Sequence, residues 1–443
     1  MKYFIALTVA TIAAFAQAQS FQIQALTSPA GHNLWLVEDH SNPIVSMEIT
    51  FKNGSYQDPV GLEGTAAILG WLFNEGAGTL SAEAFQGIMS DESFSISADA
   101  GFERTTVTLQ YLTENQDLAV DLLTSAFSEP RFDADAIDRA KDYFEAQVIR
   151  RQNGPGQEFS DLFGPLQYGE GHPFLRYSNG TLDSLAAISR QDLLDAHQRT
   201  YTKFDVEVNA VGDIYPESLG KIVDLVLQDL PDGQQTPIRP APDAPATNVE
   251  LVTDYAQPVT FVIGSANGID HNDPDLNAAR VADQILGGDG LSSRLFQAVR
   301  EEAGLVYSIG SSLSASRDFG RIGFRFQTAN DNVDEALSLT FDVIREFAED
   351  GPTEEEVERA IDLITGSYPL RFQTSLDIVG YMNTLRVLGL PPEFPTVRNA
   401  QYEAVTIEDV KRVARRLYAD KDFLIGMIGR PENRTVGVRV IDE

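Results

Sequence analysis

The chain has 443 residues, carries 66 acidic side chains against 33 Lys and Arg for a formal net charge of −33, and contains no cysteine. That length is enough for two or three domains with cores of their own. The charge sets the surface against nucleic-acid phosphates and anionic lipid, and the missing cysteine rules out disulfides, thiol catalysis and Cys-ligated zinc.

Residues 1–18 read as a secretory signal: Lys2 is the charged start, Tyr3 to Phe15 the apolar run, and Ala16-Gln17-Ala18 a small-x-small cleavage site. The run falls short of the roughly 20 apolar residues that a membrane span needs, so the expectation is an exported protein, suited to a periplasm. Residues 33–38 and 44–52 read as strands. In the second, Val45, Met47, Ile49 and Phe51 alternate with Ser46, Glu48, Thr50 and Lys52, which predicts one buried and one wet face. Asn53-Gly54 marks a turn and Asp58-Pro59 opens the next segment. Residues 61–75 read as a helix that is apolar nearly all round, and 81–90 as a second helix. Residues 94–100 and 105–112 predict a hairpin, and 114–128 and 133–151 two long amphipathic helices. The stretch 152–180, rich in Gly and aromatics, reads as a long loop. A helix over 188–201 and a strand over 205–211 follow.

Residues 231–246 hold prolines at 231, 237, 240, 242 and 245 and predict an extended linker. It separates two near-equal segments, 19–230 and 247–443, and these repeat each other. Asn53-Gly54 then Asp58-Pro59 matches Asn267-Gly268 then Asp273-Pro274. Phe127-Ser128-Glu129 followed by Ile137-Asp138-Arg139-Ala140 matches Phe347-Ala348-Glu349 followed by Val357-Glu358-Arg359-Ala360. Tyr201 to Gly212 matches Tyr418 to Gly429. Three matches in order predict an α+β fold of two homologous domains, each a mainly antiparallel sheet packed against several helices.

This order of strand, turn, helix, hairpin, two long helices and internal repeat resembles the pitrilysin or insulinase-like zinc peptidases. The likeness covers essentially the whole mature chain and is nearest to their half-length bacterial members. The resemblance implies a helix over 61–75 that opens with His-x-x-Glu-His, and a third, Glu ligand in the second long helix. Positions i and i+4 share a helix face, so two imidazoles can grip one ion, and the Glu acts as base on the metal-bound water. Here Ala67 stands in the place of the first His, Gly70 in that of the base, Trp71 in that of the second His and Gln147 in that of the third ligand. Ala and Trp are no ligands and a neutral amide is a poor one. The five histidines, His32, His40, His172, His197 and His271, include no two that could share a helix face, and each reads as surface or structural. No metal is expected on this chain.

In the second half, Gly287-Gly288-Asp289-Gly290 leads through Leu291 to Arg300 and on to Tyr307. Mechanically this is a turn, a capped helix that stops at Gly304, and a strand. No Lys-Ser/Thr follows, so it is not a phosphate loop. From the residues alone, Arg300 ends a helix beside its own dipole and Tyr307 packs in a strand. The resemblance implies more: an Arg and a Tyr seven residues on, in this setting, bind substrate near the scissile bond and face the zinc from the opposite half of the particle. A guanidinium can hold a peptide carbonyl and a phenol can donate to the developing oxyanion. The glycine turn is similar in position to a longer substrate-contacting loop in the non-catalytic subunit of the mitochondrial processing peptidase, although a plain tight turn is the simpler reading. Thr353-Glu354-Glu355-Glu356 is a helix N-terminal signature. The resemblance therefore implies a non-catalytic, substrate-binding subunit of an exported heterodimeric zinc metallopeptidase. Its homologous partner carries the zinc, and peptide is bound as an added strand on a sheet edge. The alternative is a non-proteolytic scaffold or peptide-binding protein of the same fold. An autonomous hydrolase has no supporting constellation, and neither nucleic acid nor stable membrane insertion is expected.

Overall fold

The computed structural model describes residues 21–441 apart from positions 236 and 289, so the signal expected over 1–18 lies outside the described residues. In chain order the first half holds β1 (Gln24–Thr27), β2 (Asn33–Glu38), β3 (Ile44–Phe51), α1 (Thr65–Trp71), the short β4 (Gly76–Ala77) and β5 (Leu80–Ser81), α2 (Ala82–Asp91), β6 (Ser95–Ala100) and β7 (Thr105–Leu112). Then come α3 (Gln116–Ser128), α4 (Ala134–Gln152), α5 (Gly156–Tyr168), α6 (Leu182–Ala187), α7 (Arg190–Thr200), β8 (Glu207–Gly212) and α8 (Pro216–Leu227). The second half holds β9 (Val249–Asp254), β10 (Val259–Asn267), α9 (Leu276–Leu286), a π-helical turn Phe296–Glu302, β11 (Val306–Ala315) and β12 (Gly320–Ala329). It ends with α10 (Val333–Asp350), α11 (Glu354–Gly366), α12 (Ser375–Val387), α13 (Phe394–Glu403), α14 (Ile407–Tyr418), β13 (Leu424–Gly429) and β14 (Gly437–Val440).

The two sheets match strand for strand. The first runs β1-β2-β8-β3-β7-β6 and the second β14-β9-β13-β10-β12-β11. In each main sheet a single neighbouring pair is parallel, β2 with β8 and β9 with β13. The duplicated α+β architecture is therefore as expected. One outer strand differs in origin, since β1 precedes its neighbour in the chain and β14 comes from near the other end. Each sheet buries one face against its own helices. Val45, Met47, Ile49 and Phe51 meet Ile68, Phe127 and Tyr201 in the first core. Phe324 and Phe326 meet Ile344, Phe347 and Leu417 in the second. Each such side chain contributes about 1.5–3 kcal/mol through burial. Helix starts follow local chemistry: the Ser189 hydroxyl accepts from Asp192 N and the Thr353 hydroxyl from Glu356 N, with Asp192 and Glu356 reaching back to close capping boxes.

Four features differ from the sequence expectation. The helix predicted over 61–75 starts only at Thr65. Gly61 and Gly64 take left-handed φ of 84° and 97°, and the Asp58 side chain caps the helix by accepting from Gly64 N and Ala66 N, both at 3.0 Å. The loop predicted over 152–180 contains α5, despite Pro165 within it. Its Phe159, Phe163 and Leu166 pack on Leu251, Ile263 and Leu424 of the other half's sheet, so its stabilising surface lies far away in the chain. The wet face predicted for β3 is in part covered: Ser46 and Thr50 are fully buried, because α12 of the second half lies across β3 and β8. Ser46 Oγ sits 2.8 Å from Ser375 Oγ, Thr50 Oγ1 donates to Asn383 at 3.2 Å, and Arg386 Nε donates to Asn209 at 2.8 Å. The halves thus exchange helices, α5 for α12. Finally, the proline-rich segment is anchored to the rest of the protein, with Arg239 only 5% exposed.

Candidate functional site

In the first half the degenerate positions lie where α1 packs against α4, α7 and β6. Ala67 and Trp71 are half-buried and pack on the hydrophobic core. Gly70 is buried, and a Cβ there would sit 3.1 Å from the Ala98 carbonyl oxygen of β6. The absent side chain lets helix and strand approach closely. Just beyond, Asn74 Nδ2 donates to Ile96 O at 3.0 Å, tying the helix end to the same outer strand. Gln147 is half-buried on α4. An alanine methyl, an indole, a glycine and one amide do not fit a zinc ion. Among the described residues no group of three or more His, Cys, Asp or Glu side chains could hold a metal.

The histidines are dispersed. His40 places Nδ1 2.6 Å from Asp213 at the surface, and its bonded carboxylate raises its pKa. His172 accepts from Phe174 N and places Nε2 3.1 Å from Pro240 O. His197 is buried with its ring centroid 4.9 Å from that of Tyr201, and burial pushes its imidazole down to about 4. Burial also lowers His271, which is half-buried. His32 lies half-buried beside the turn before β2.

Arg300 and Tyr307 occupy a different setting from the one their residue types suggest by themselves. Arg300 sits on the π-helical turn rather than an α-helix; Ala303 N donates to Ala298 O at 3.1 Å, a five-residue step, and Gly304 ends the turn with φ of 66°. Such turns are rare and concentrate at functional sites. Tyr307 does not pack in its strand and is 67% exposed. Along the outer strand β11, Val306 faces Thr328 of β12 while Ser308 faces Gln327, which leaves Tyr307 as an extra, bulged residue. A bulge re-aims a side chain out of the regular pleat. Arg300 is exposed too, and neither side chain makes a hydrogen bond or ion pair among the described residues. A guanidinium and a phenol are therefore free beside one sheet edge.

The glycine turn acts on that edge. Gly287 O accepts from Ser311 N at 2.9 Å, and a Cβ on Gly287 would come within 2.3 Å of that nitrogen. Ser311 Oγ also donates to Asp283 Oδ1 at 2.5 Å. The turn thus closes part of the β11 edge. The sequence reading missed the bulge, the π turn and one further free cation, Arg325 on β12. The Phe324-Arg325-Phe326 alternation could have marked Arg325 as pointing away from the core.

The insulinase (peptidase family M16) model matches residues 34–158 and the peptidase M16 inactive-domain model residues 187–364, together more than half the chain. In sequence the chain is similar to the non-peptidase homolog YmxG of Helicobacter pylori, 24% identical over 84% of this chain and 86% of that protein. It is also similar to the mitochondrial-processing peptidase subunit beta of Lentinula edodes, 23% identical over 85% and 83% of the two chains. In structure it is similar to the peptidase M16 inactive domain from Pseudomonas fluorescens. The TM-score is 0.84 at 25% identity, covering 94% of this chain and 99% of that one.

Proposed function

The chain belongs to peptidase family M16, the insulinase family, as a member without the zinc-binding side chains, and on that premise we propose that it is the non-catalytic, peptide-binding subunit of a heterodimeric zinc metallopeptidase. The partner is a homologous chain with an intact His-x-x-Glu-His helix, which holds the zinc. That ion activates water and polarises the scissile carbonyl in the partner. This chain supplies Arg300, which holds a peptide carbonyl, and Tyr307, which donates to the oxyanion as it forms. Peptide adds as a strand on a sheet edge through main-chain hydrogen bonds. The leader read over 1–18 makes the pair exported, and no helix among the described residues is long and apolar enough to cross a membrane.

The observation that carries this reading is the pairing of a metal site filled by Ala67, Gly70 and Trp71 with an Arg300 and Tyr307 left exposed and unengaged on a bulged outer strand. The competing reading, a peptide-binding or scaffold protein without proteolysis, draws on the similarity to a protein described as a non-peptidase homolog. Co-expression with a homologous chain that carries His-x-x-Glu-His separates the two. Peptide hydrolysis that needs both chains supports the subunit, and full activity from the zinc-bearing chain alone leaves the scaffold.

A further inference from the structure

The second sheet turns one face to its own helices, and α5 covers only part of the other. On that open face, Gln327 of β12 pairs with Ser308 of β11, beside the bulged Tyr307. In the next row Arg325 lies between Gly310 on the outer strand and Ile263 on the inner one. Arg325 is exposed and makes no hydrogen bond or ion pair among the described residues. Gly310 has no side chain to stand between Arg325 and the outer edge, where the Gly287 carbonyl oxygen would lie 3.0 Å from a Cβ at that position. Neighbouring strands lie about 4.8 Å apart. A peptide strand added to β11 would run about 10 Å from β12, a gap that an arginine meeting an acidic group can bridge.

The available edge is short. The Gly287 carbonyl occupies Ser311 N, whereas no turn or loop backbone among the described residues bonds to residues 306–310. An added strand has room along 306–310 and stops at Ser311. Arg325 stands opposite Gly310, at the closed end of that stretch. Where 66 acids face 33 bases across the chain, a free cation at one register position selects for negative charge at that position.

We propose that Arg325 is a third peptide-contacting group of the Arg300 and Tyr307 site and binds a carboxylate of the peptide opposite Gly310, either an acidic side chain or the C-terminus. This rests on the peptide-binding reading above. The test is fluorescence anisotropy of the full mature chain with four short extended peptides of one sequence: an internal Asp or its Asn counterpart, each with a free or an amidated C-terminus. A charge-assisted bond makes the carboxylate-bearing peptides bind roughly tenfold to a hundredfold tighter than the fully neutral one. Arg325→Gln abolishes that preference, weakening the carboxylate-bearing peptides more than the neutral one, and Arg325→Lys restores part of it. Preference for internal Asp identifies a side chain, and preference for the free terminus identifies the chain end. A neutral peptide that binds as tightly as the acidic ones, or a preference that survives Arg325→Gln, overturns the role of Arg325 and leaves peptide binding standing. Binding of none of the four to the wild-type chain overturns both.

Discussion

Arg239 donates two bonds to the Asp318 carboxylate, at 3.0 and 3.1 Å, and its Nε lies 3.3 Å from Glu103. Glu103 sits between β6 and β7, and Asp318 between β11 and β12, so the linker arginine joins the same hairpin tip of both halves. Its guanidinium also lies 4.5 Å from the Phe174 ring centroid.

A buried cation in that position is expected to make the two halves unfold together. Arg239→Ala takes the two-bond partner from Asp318 and leaves Glu103 only Arg317, 3.7 Å away, and is expected to cost about 3 kcal/mol. Arg239→Lys recovers little, because an ammonium cannot reproduce the two-pronged contact. Urea unfolding followed by fluorescence reads both variants, and wild-type stability for Arg239→Ala would remove the linker's anchoring role.

The pH dependence of stability separates half-buried Glu48 from buried His197. Glu48 lies under α12, one carboxylate oxygen has no partner, and burial pushes its pKa up to about 7. The folded state holds this proton more tightly than the unfolded one, so the stability Glu48 contributes is present below pH 4.5 and lost as pH rises toward 7. His197, pushed down to about 4, has the opposite sign: its contribution is present above pH 6.5 and lost as pH falls toward 4. Each contribution is on the order of 3 kcal/mol at full extent. The stability difference between wild type and Glu48→Gln should therefore fall with rising pH, and that between wild type and His197→Gln should rise. Parallel pH profiles for all three proteins would contradict the assignment.

At the degenerate metal site, Gly70→Glu is expected to destabilise the chain by about 1–3 kcal/mol, since its Cβ presses on the Ala98 carbonyl. Calorimetric titration of the purified wild-type chain with zinc should show no stoichiometric binding. A tightly held ion would contradict the reading of Ala67, Gly70, Trp71 and Gln147.

Arg300→Ala and Tyr307→Phe alter exposed side chains without partners, so unfolding free energies should move by less than about 0.5 kcal/mol. In the proposed two-chain complex the effect on catalysis is expected to be large. Losing the phenol donor should lower kcat about a hundredfold, while losing the guanidinium should act mainly on KM. Steady-state kinetics on one peptide shows the split, and unchanged kinetics for both variants would remove the pair from the reaction.

Much of the architecture was legible because it rests on neighbours in the chain. The alternation of Val45, Met47, Ile49 and Phe51 set the core face of β3, Thr353 capped its helix, and the repeated Asn-Gly, Phe-x-Glu and Tyr-to-Gly spacings disclosed two like halves. The residue types at 67, 70, 71 and 147 were equally plain to read, since Ala, Gly, Trp and Gln offer a zinc ion no strong ligand. What stayed hidden depended on distant partners. Residues 156–168, with two glycines and a proline, have weak helical propensity and become α5 through Leu251 and Leu424. Ser46 and Thr50 look solvent-bound until α12 covers them.

The amino-acid sequence alone determined that this protein is a duplicated α+β chain with Ala, Gly, Trp and Gln at positions 67, 70, 71 and 147, because periodicity and side-chain chemistry act over a few residues. Only the tertiary structure decided that the halves trade helices, that Arg239 bolts their hairpins together, and that Tyr307 bulges from an outer strand with Arg325 one row away. Those outcomes come from burial and strand register between segments remote in the chain, where no local pattern can reach.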